Sequence, residues 1–126
     1  MAERSQHLGR AGEEVALQYL HQQGYRILER NFRCRFGEID LIARDGRTLA
    51  FIEVKTRRSR AFGAPALAVT KQKQRRLVRV SQFYLSQKGG AQAFCRFDVV
   101  TIQIEGGEPR IEVIKNAFQP EAELHW

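Results

Sequence analysis

The chain has 126 residues, of which 43% are hydrophobic, and a net charge of +7. That length suits one domain around one core, and that composition excludes a disordered chain. No apolar run approaches the ~20 residues of a membrane-spanning helix, and Met1 to His7 hold no apolar stretch of the secretory kind. A cytoplasmic protein with no membrane partner is expected. Cys34 and Cys95 show no C-x-x-C spacing, and His7, His21 and His125 are scattered, so reduced thiols are expected and a zinc site is not.

In chain order, Ser5 is placed to cap a first helix and Gly24 to end it. Leu8, Ala11, Val15, Tyr19 and Leu20 recur at three- and four-residue spacing and predict its apolar face. A first strand is predicted around Tyr25 to Arg30. Two more come after it, Gly37 to Ala43 and Leu49 to Lys55, with the hairpin signal Asp45-Gly46 between them. Ser59 to Pro65 reads as a loop. A second helix runs from about Thr70, its cap, to about Gln87, buries Leu77, Val80, Tyr84 and Leu85, and stops at Gly89-Gly90. Strands Phe94 to Ile102 and Arg110 to Ile114, joined across Gly106-Gly107, complete an α-β-β-β-α-β-β order. The second helix is long enough to cross over between parallel neighbours, strands three and four. The class is therefore α/β, a mixed sheet flanked by helices, with residues 1–118 as one domain and 119–126 as a tail.

The third strand carries an unusual load. Side chains alternate faces along a strand, so Glu53 and Lys55 share one, and Glu38 and Asp40 share one on the strand before. Burying such charges costs several kcal/mol unless they are paired or hold a cation. If the pairs meet, two or three carboxylates converge beside an ammonium. A hard divalent ion is then the natural counter-charge, with Lys55 placed to hold an attacking water or to offset developing charge. Whether they meet depends on hairpin register. A two-residue Asp45-Gly46 loop sets Glu38 opposite Glu53 and Asp40 diagonal to it, whereas a loop of Asp45 to Thr48 sets Asp40 directly opposite. An odd loop without a bulge throws the two acids to opposite faces. The bland alternative is a structural ion pair of Glu53 with Lys55 or an arginine. Asp98 reads as a buried acceptor for Arg96 or a loop N–H.

Charge is distributed one-sidedly. Of the 14 acids none lies between Val54 and Phe97, a stretch that carries Lys55, Arg57, Arg58, Arg60, Lys71, Lys73, Arg75, Arg76, Arg79, Lys88 and Arg96. A solvated helix face usually interleaves both signs; this stretch favours a polyanionic partner. Lys71, Arg75 and Arg79 lie at i, i+4 and i+8 on one helix face. With Arg57, Arg58, Lys73 and Arg76 they form the expected nucleic-acid-binding set.

Asp40…Glu53-Val54-Lys55 resembles the PD-(D/E)xK signature of restriction-endonuclease-like nucleases, and the element order resembles their shared α-β-β-β-α-β core. Gly9-x-x-Gly12-Glu13-x-x-Ala16, Arg30-Asn31, Gly37 to Ala43, Phe51 to Arg57 and Arg96 to Val100 resemble the bacterial YraN-type family of predicted endonucleases over about residues 8–118. That family is similar to archaeal Holliday-junction resolvases. The resemblance implies that Asp40 and Glu53 bind Mg²⁺ or Mn²⁺, that Lys55 positions the nucleophile, and that Glu13 assists from the first helix. Ile39 stands where the superfamily signature has proline. The resemblance thus implies a metal-dependent DNA endonuclease of structure-specific or repair type, acting on branched or single-stranded DNA, with homodimer formation left open. The alternative is a non-catalytic nucleic-acid-binding module or a scaffold of the same fold.

Overall fold

The computed structural model describes residues 2–57, 69–88, 94–104 and 107–120, the side chains of 2–10 and 57 excepted. Five strands, β1 (Arg26–Cys34), β2 (Gly37–Asp45), β3 (Thr48–Arg57), β4 (Phe94–Gln103) and β5 (Arg110–Phe118), form one sheet in chain order. β1, β2 and β3 are an antiparallel meander. β3 and β4 run parallel from Thr48↔Phe94 to Arg57↔Gln103, and β5 returns antiparallel to β4. The parallel step needs a crossover, which the helix α2 (Lys71–Lys88) provides. Helix α1 (Ala2–Gln22) covers the other face. This is the expected α/β arrangement, a mixed sheet with a restriction-endonuclease-like core.

Two helix layers explain why β3 reads as an almost continuous apolar run, since a central strand is buried on both sides. Leu49 and Phe51 pack under α2 with Leu77, Val80 and Tyr84, while Ala50 and Ile52 pack under α1 with Ala16 and Leu20. Thr70 caps α2 as expected, its Oγ1 accepting the Lys73 N–H at 3.2 Å. The glycines at 89, 90 and 106 and the Ser59 to Pro65 loop lie wholly or largely outside the described residues. β1 and β5 are longer than predicted, running on to Cys34 and Phe118 through exposed and half-buried positions that a single sequence reads as turn or tail.

The first helix departs from expectation at both its start and its face. It begins before Ser5, which therefore lies inside it, and it ends as predicted at Gly24, where Tyr25 N–H bonds Leu20 C=O (2.9 Å) and Gly24 N–H bonds His21 C=O (3.0 Å). Gly12, Ala16 and Leu20 are buried and Ala11 is exposed, so the inward face is one residue along from the predicted stripe. The cause is a close approach to β3: a Cβ at position 12 would stand 2.0 Å from Thr56 Oγ1 and 3.2 Å from Thr56 Cβ. Only glycine fits there. Gly12→Ala is expected to destabilise the fold by about 1–3 kcal/mol in urea unfolding, despite the higher helix propensity of alanine. Adding Thr56→Ala recovers most of that loss if the clash is its source.

Candidate active site

β2 and β3 stay paired from Asp45↔Thr48 to Leu41↔Ile52 and then part. β2 continues alongside β1 to Cys34↔Gly37, and β3 continues alongside β4. The sheet therefore opens at Asp40. Ile39 packs on the α2 side and Leu41 on the α1 side, so the alternation of faces breaks between them. Opposite the break, Asn31 of β1 adopts φ 52°, a left-handed conformation that asparagine tolerates better than most residues. Parting strands leave main-chain donors that need partners. Asp40 provides one, its Oδ2 accepting the Val54 N–H at 2.8 Å.

The hairpin turns at Gly46-Arg47, with Asp45 paired to Thr48, so the register carries Asp40 opposite Glu53. This is the register of the wider Asp45 to Thr48 loop; the Asp45-Gly46 register is not adopted. Glu53 is 8% exposed at the end of the apolar run of β3. The Asp40 carboxyl is in hydrogen-bonding contact with it. Burial, that contact and the Glu53 charge push the Asp40 pKa up to about 7, against the opposing pull of the Val54 N–H and Lys73.

Two lysines complete the cluster. Lys73 Nζ lies 3.2 Å from Glu53 Oε2. Burial works against its ammonium, but Glu53, the neighbouring Lys55 amine and Asp40 together outweigh that and hold its pKa above the ordinary value. Lys55 is shifted the other way, pushed down by burial and by contact with Lys73, with Glu53 and Asp40 opposing. The two neighbouring amines are thus shifted in opposite directions. The ion pair of Glu53 is thus with a helix lysine, where the sequence suggests Lys55 or an arginine.

Glu13 approaches from α1. Its carboxylate accepts from the Asn31 amide (3.3 Å), and Arg30 holds the adjacent Glu14 at 2.6 Å. Burial raises the Glu13 pKa against the Asn31 bond, with the Asp40 and Glu38 charges adding to the rise. Glu38, placed beside Asp40 by simple alternation, bonds Arg33 instead (3.1 Å). Glu13, Asp40, Glu53 and Lys55 are accordingly brought to one end of the sheet.

Of the expected basic set, Lys71, Arg75, Arg76 and Arg79 are exposed on α2. Lys73 is not part of that exposed group but turns inward. It lies four residues before Leu77 and seven before Val80, so the helix period could have placed it on the buried stripe. Arg58 and the Arg57 side chain lie outside the described residues. Arg30-Asn31 stands among the family motifs, but the hold of Asn31 on Glu13 is not readable from them, because a left-handed residue at a break in pairing leaves no periodic signal. Asp98 has the expected structural role. Fully buried, it accepts from Arg96 (2.8 and 2.9 Å), Tyr25 Oη (3.2 Å) and Asn116 N–H (3.0 Å).

Among the described residues no three His, Cys, Asp or Glu side chains form a ligand set by themselves, and no helix is long and apolar enough to cross a membrane. The family model described as "Uncharacterised protein family UPF0102" matches residues 12–102. A UPF0102 protein of Syntrophus aciditrophicus is 53% identical over 111 residues, 88% of this chain and 87% of its own. One from Geotalea daltonii is 54% identical over 112 residues, 88% of each chain, and one from Symbiobacterium thermophilum is 51% identical over 115 residues, 90% of this chain and 98% of its own. The chain belongs to the UPF0102 family, the YraN-type family that its motifs resemble.

Proposed function

We propose that this protein is a divalent-metal-dependent endonuclease that hydrolyses phosphodiester bonds in DNA. The observation that carries the reading is the meeting of Asp40 and Glu53 in hydrogen-bonding contact, where β2 and β3 part, with two lysine amines against them. Two carboxylates pressed together, one with its pKa near 7, form a donor set that suits a hard cation. Asp40 and Glu53 would hold Mg²⁺ or Mn²⁺, with water and phosphate oxygens as the remaining ligands. Such an ion, when bound, lowers the pKa of water and offsets charge on a phosphoryl oxygen.

The chain's own residues do the rest. Lys55, held below its usual pKa, is suited to hold the attacking water and to take up or give back a proton at Nζ. Lys73 keeps its charge and stabilises negative charge at the phosphate as it grows. Asn31 orients Glu13 toward the same opening. Rigid neighbouring strands keep these groups in fixed geometry, which positioning of this kind requires. The test is incubation of labelled branched, flapped, single-stranded and duplex DNA with Mg²⁺ or Mn²⁺; no cleavage of any of them by the wild type rules the enzyme out.

One observation favours a second reading, a nucleic-acid-binding module without catalysis: Glu53 already has a cation in Lys73. Both readings require the basic face of α2. Affinity for DNA is expected to fall steeply with salt, each neutralised phosphate contributing about −0.9 to the slope of log K against log salt. Arg75→Ala with Arg79→Ala is expected to weaken binding to all sequences and to flatten that slope by about two phosphates' worth. A salt titration in which the double variant behaves as wild type removes this face from the binding surface.

A further inference from the structure

The turn between β1 and β2 places Arg35 and Phe36 beside α2. The Phe36 ring meets Phe83 edge-on at 6.1 Å and carries the Arg35 guanidinium at 4.9 Å from its centroid. Gly37 has φ 142°, and a Cβ there would lie 2.9 Å from Arg76 Cδ, so the absent side chain lets the Arg76 stem lie across the turn. Between turn and helix runs a groove of about 390 Å³, lined by Arg35, Phe36, Gln72, Arg75, Arg76 and Arg79. Among the described residues four guanidinium groups, one amide and one aromatic ring line it, and no carboxylate does.

We infer that this groove binds an unpaired stretch of a DNA strand, its phosphates on the α2 arginines and a base on the Arg35–Phe36 stack. The inference rests on the DNA-nuclease reading and deepens it by naming the substrate class, DNA with a single-stranded segment beside the bond to be cut. Arginines alone track a phosphate backbone in any form. An aromatic ring and a guanidinium plane among them are useful only to a base that has left its stack, because duplex bases present no free face. Every base has such a face, so the groove selects unpaired structure over sequence. Phe36 immediately precedes β2 and stands four residues before Asp40, roughly 13 Å at the usual strand rise. The groove therefore leads a strand toward the opening at Asp40.

The test is metal-free binding in EDTA, followed by fluorescence anisotropy and by 2-aminopurine emission. The probes are a single-stranded oligonucleotide, the same sequence as a blunt duplex, and the same sequence as RNA. Wild type is expected to bind the single strand about tenfold or more tightly than the duplex and to change 2-aminopurine emission on stacking. Phe36→Leu, which keeps the packing against Phe83, loses about tenfold in single-strand affinity and the emission change, with duplex affinity unchanged. Phe36→Trp restores both. If Phe36→Leu melts early, Arg35→Ala carries the same test from an exposed position, with several-fold weaker single-strand binding. Equal affinity of wild type for duplex and single strand, or Phe36→Leu and Arg35→Ala both binding as wild type, overturns the inference; tighter binding of the RNA overturns its assignment to DNA. Because no metal is present, a protein that never cleaves can still pass, and one that cleaves without preference for single strands fails.

Discussion

Glu53→Gln is expected to reduce divalent-dependent DNA cleavage by about 100-fold or more while the fold and DNA binding survive. The substitution keeps the shape and removes one of the two carboxylates that meet where the strands part. Glutamine can still accept from Lys73 through Oε1 and donate to Asp40 through Nε2, so no polar group is stranded. Lys55→Ala is expected to lose cleavage to a similar extent, because it removes the amine held below its usual pKa beside Glu53. Binding of DNA in EDTA is expected to be unchanged or tighter in Glu53→Gln, since a negative charge near the phosphate path is gone.

The alternative predicts another pattern. If Glu53 serves only as the partner of Lys73, neutralising it leaves a half-buried ammonium without its counter-charge and lowers stability by a few kcal/mol. Cleavage, if any is seen, would then be the same in both variants and would come from elsewhere. Thermal melting and cleavage measured side by side therefore separate catalytic carboxylate from structural ion pair. A Glu53→Gln protein that melts with the wild type and does not cut supports the enzyme. One that melts early and cuts normally supports the ion pair.

How much of the fold and site is legible in the chain depends on whether a residue's role comes from period or from contact. The E-x-K stands out because the strand around it is apolar on both sides, and the buried run Leu49 to Ile52 ending at Glu53 shows why a charge there is exceptional. An even loop sets Asp40 and Glu53 on one face, but the chain does not say which even register joins them; in the structure Asp45 pairs with Thr48 and the turn falls at Gly46-Arg47. Counting Lys73 with its basic neighbours misplaces it, whereas continuing the Leu77 and Val80 stripe backwards turns it inward. The phase of α1 is hidden because Gly12 and Ala16 are too small to register as apolar signal, and Gly12 packs against Thr56 on a strand some forty residues away. Asn31 and the parting of β2 from β3 depend on main-chain conformation at a break, which side-chain pattern does not encode.

Without a divalent cation the folded protein is expected to lose stability as pH rises from about 4 to about 8, and Asp40 is the reason. Its carboxyl titrates near 3.9 in an unfolded chain and at about 7 in the fold. A carboxyl whose pKa is raised by folding binds its proton more tightly when folded, so the proton stabilises the native state. That contribution is complete below the unfolded value and is lost as pH passes through the folded one. At roughly 1.4 kcal/mol for each pKa unit, the loss is on the order of a few kcal/mol. Asp45 acts with the opposite sign and in a lower range. Arg96 and Lys115 hold its pKa below the ordinary value, so its contribution is lost only as pH falls through that depressed value. Asp40→Asn isolates the Asp40 effect, because the amide oxygen can still accept the Val54 N–H while the titration is gone. Melting of wild type and Asp40→Asn across this pH range is expected to converge at low pH and to diverge at high pH, the variant being the more stable. A metal ion that binds Asp40 and Glu53 competes with that proton, and a ligand of the native state stabilises it by mass action. Millimolar Mg²⁺ or Mn²⁺ is therefore expected to raise the wild-type melting temperature more at pH 8 than at pH 5.5, and to leave Asp40→Asn nearly unmoved. A wild type whose melting ignores the ion at both pH values has no metal site between these carboxylates, and the nuclease reading falls with it.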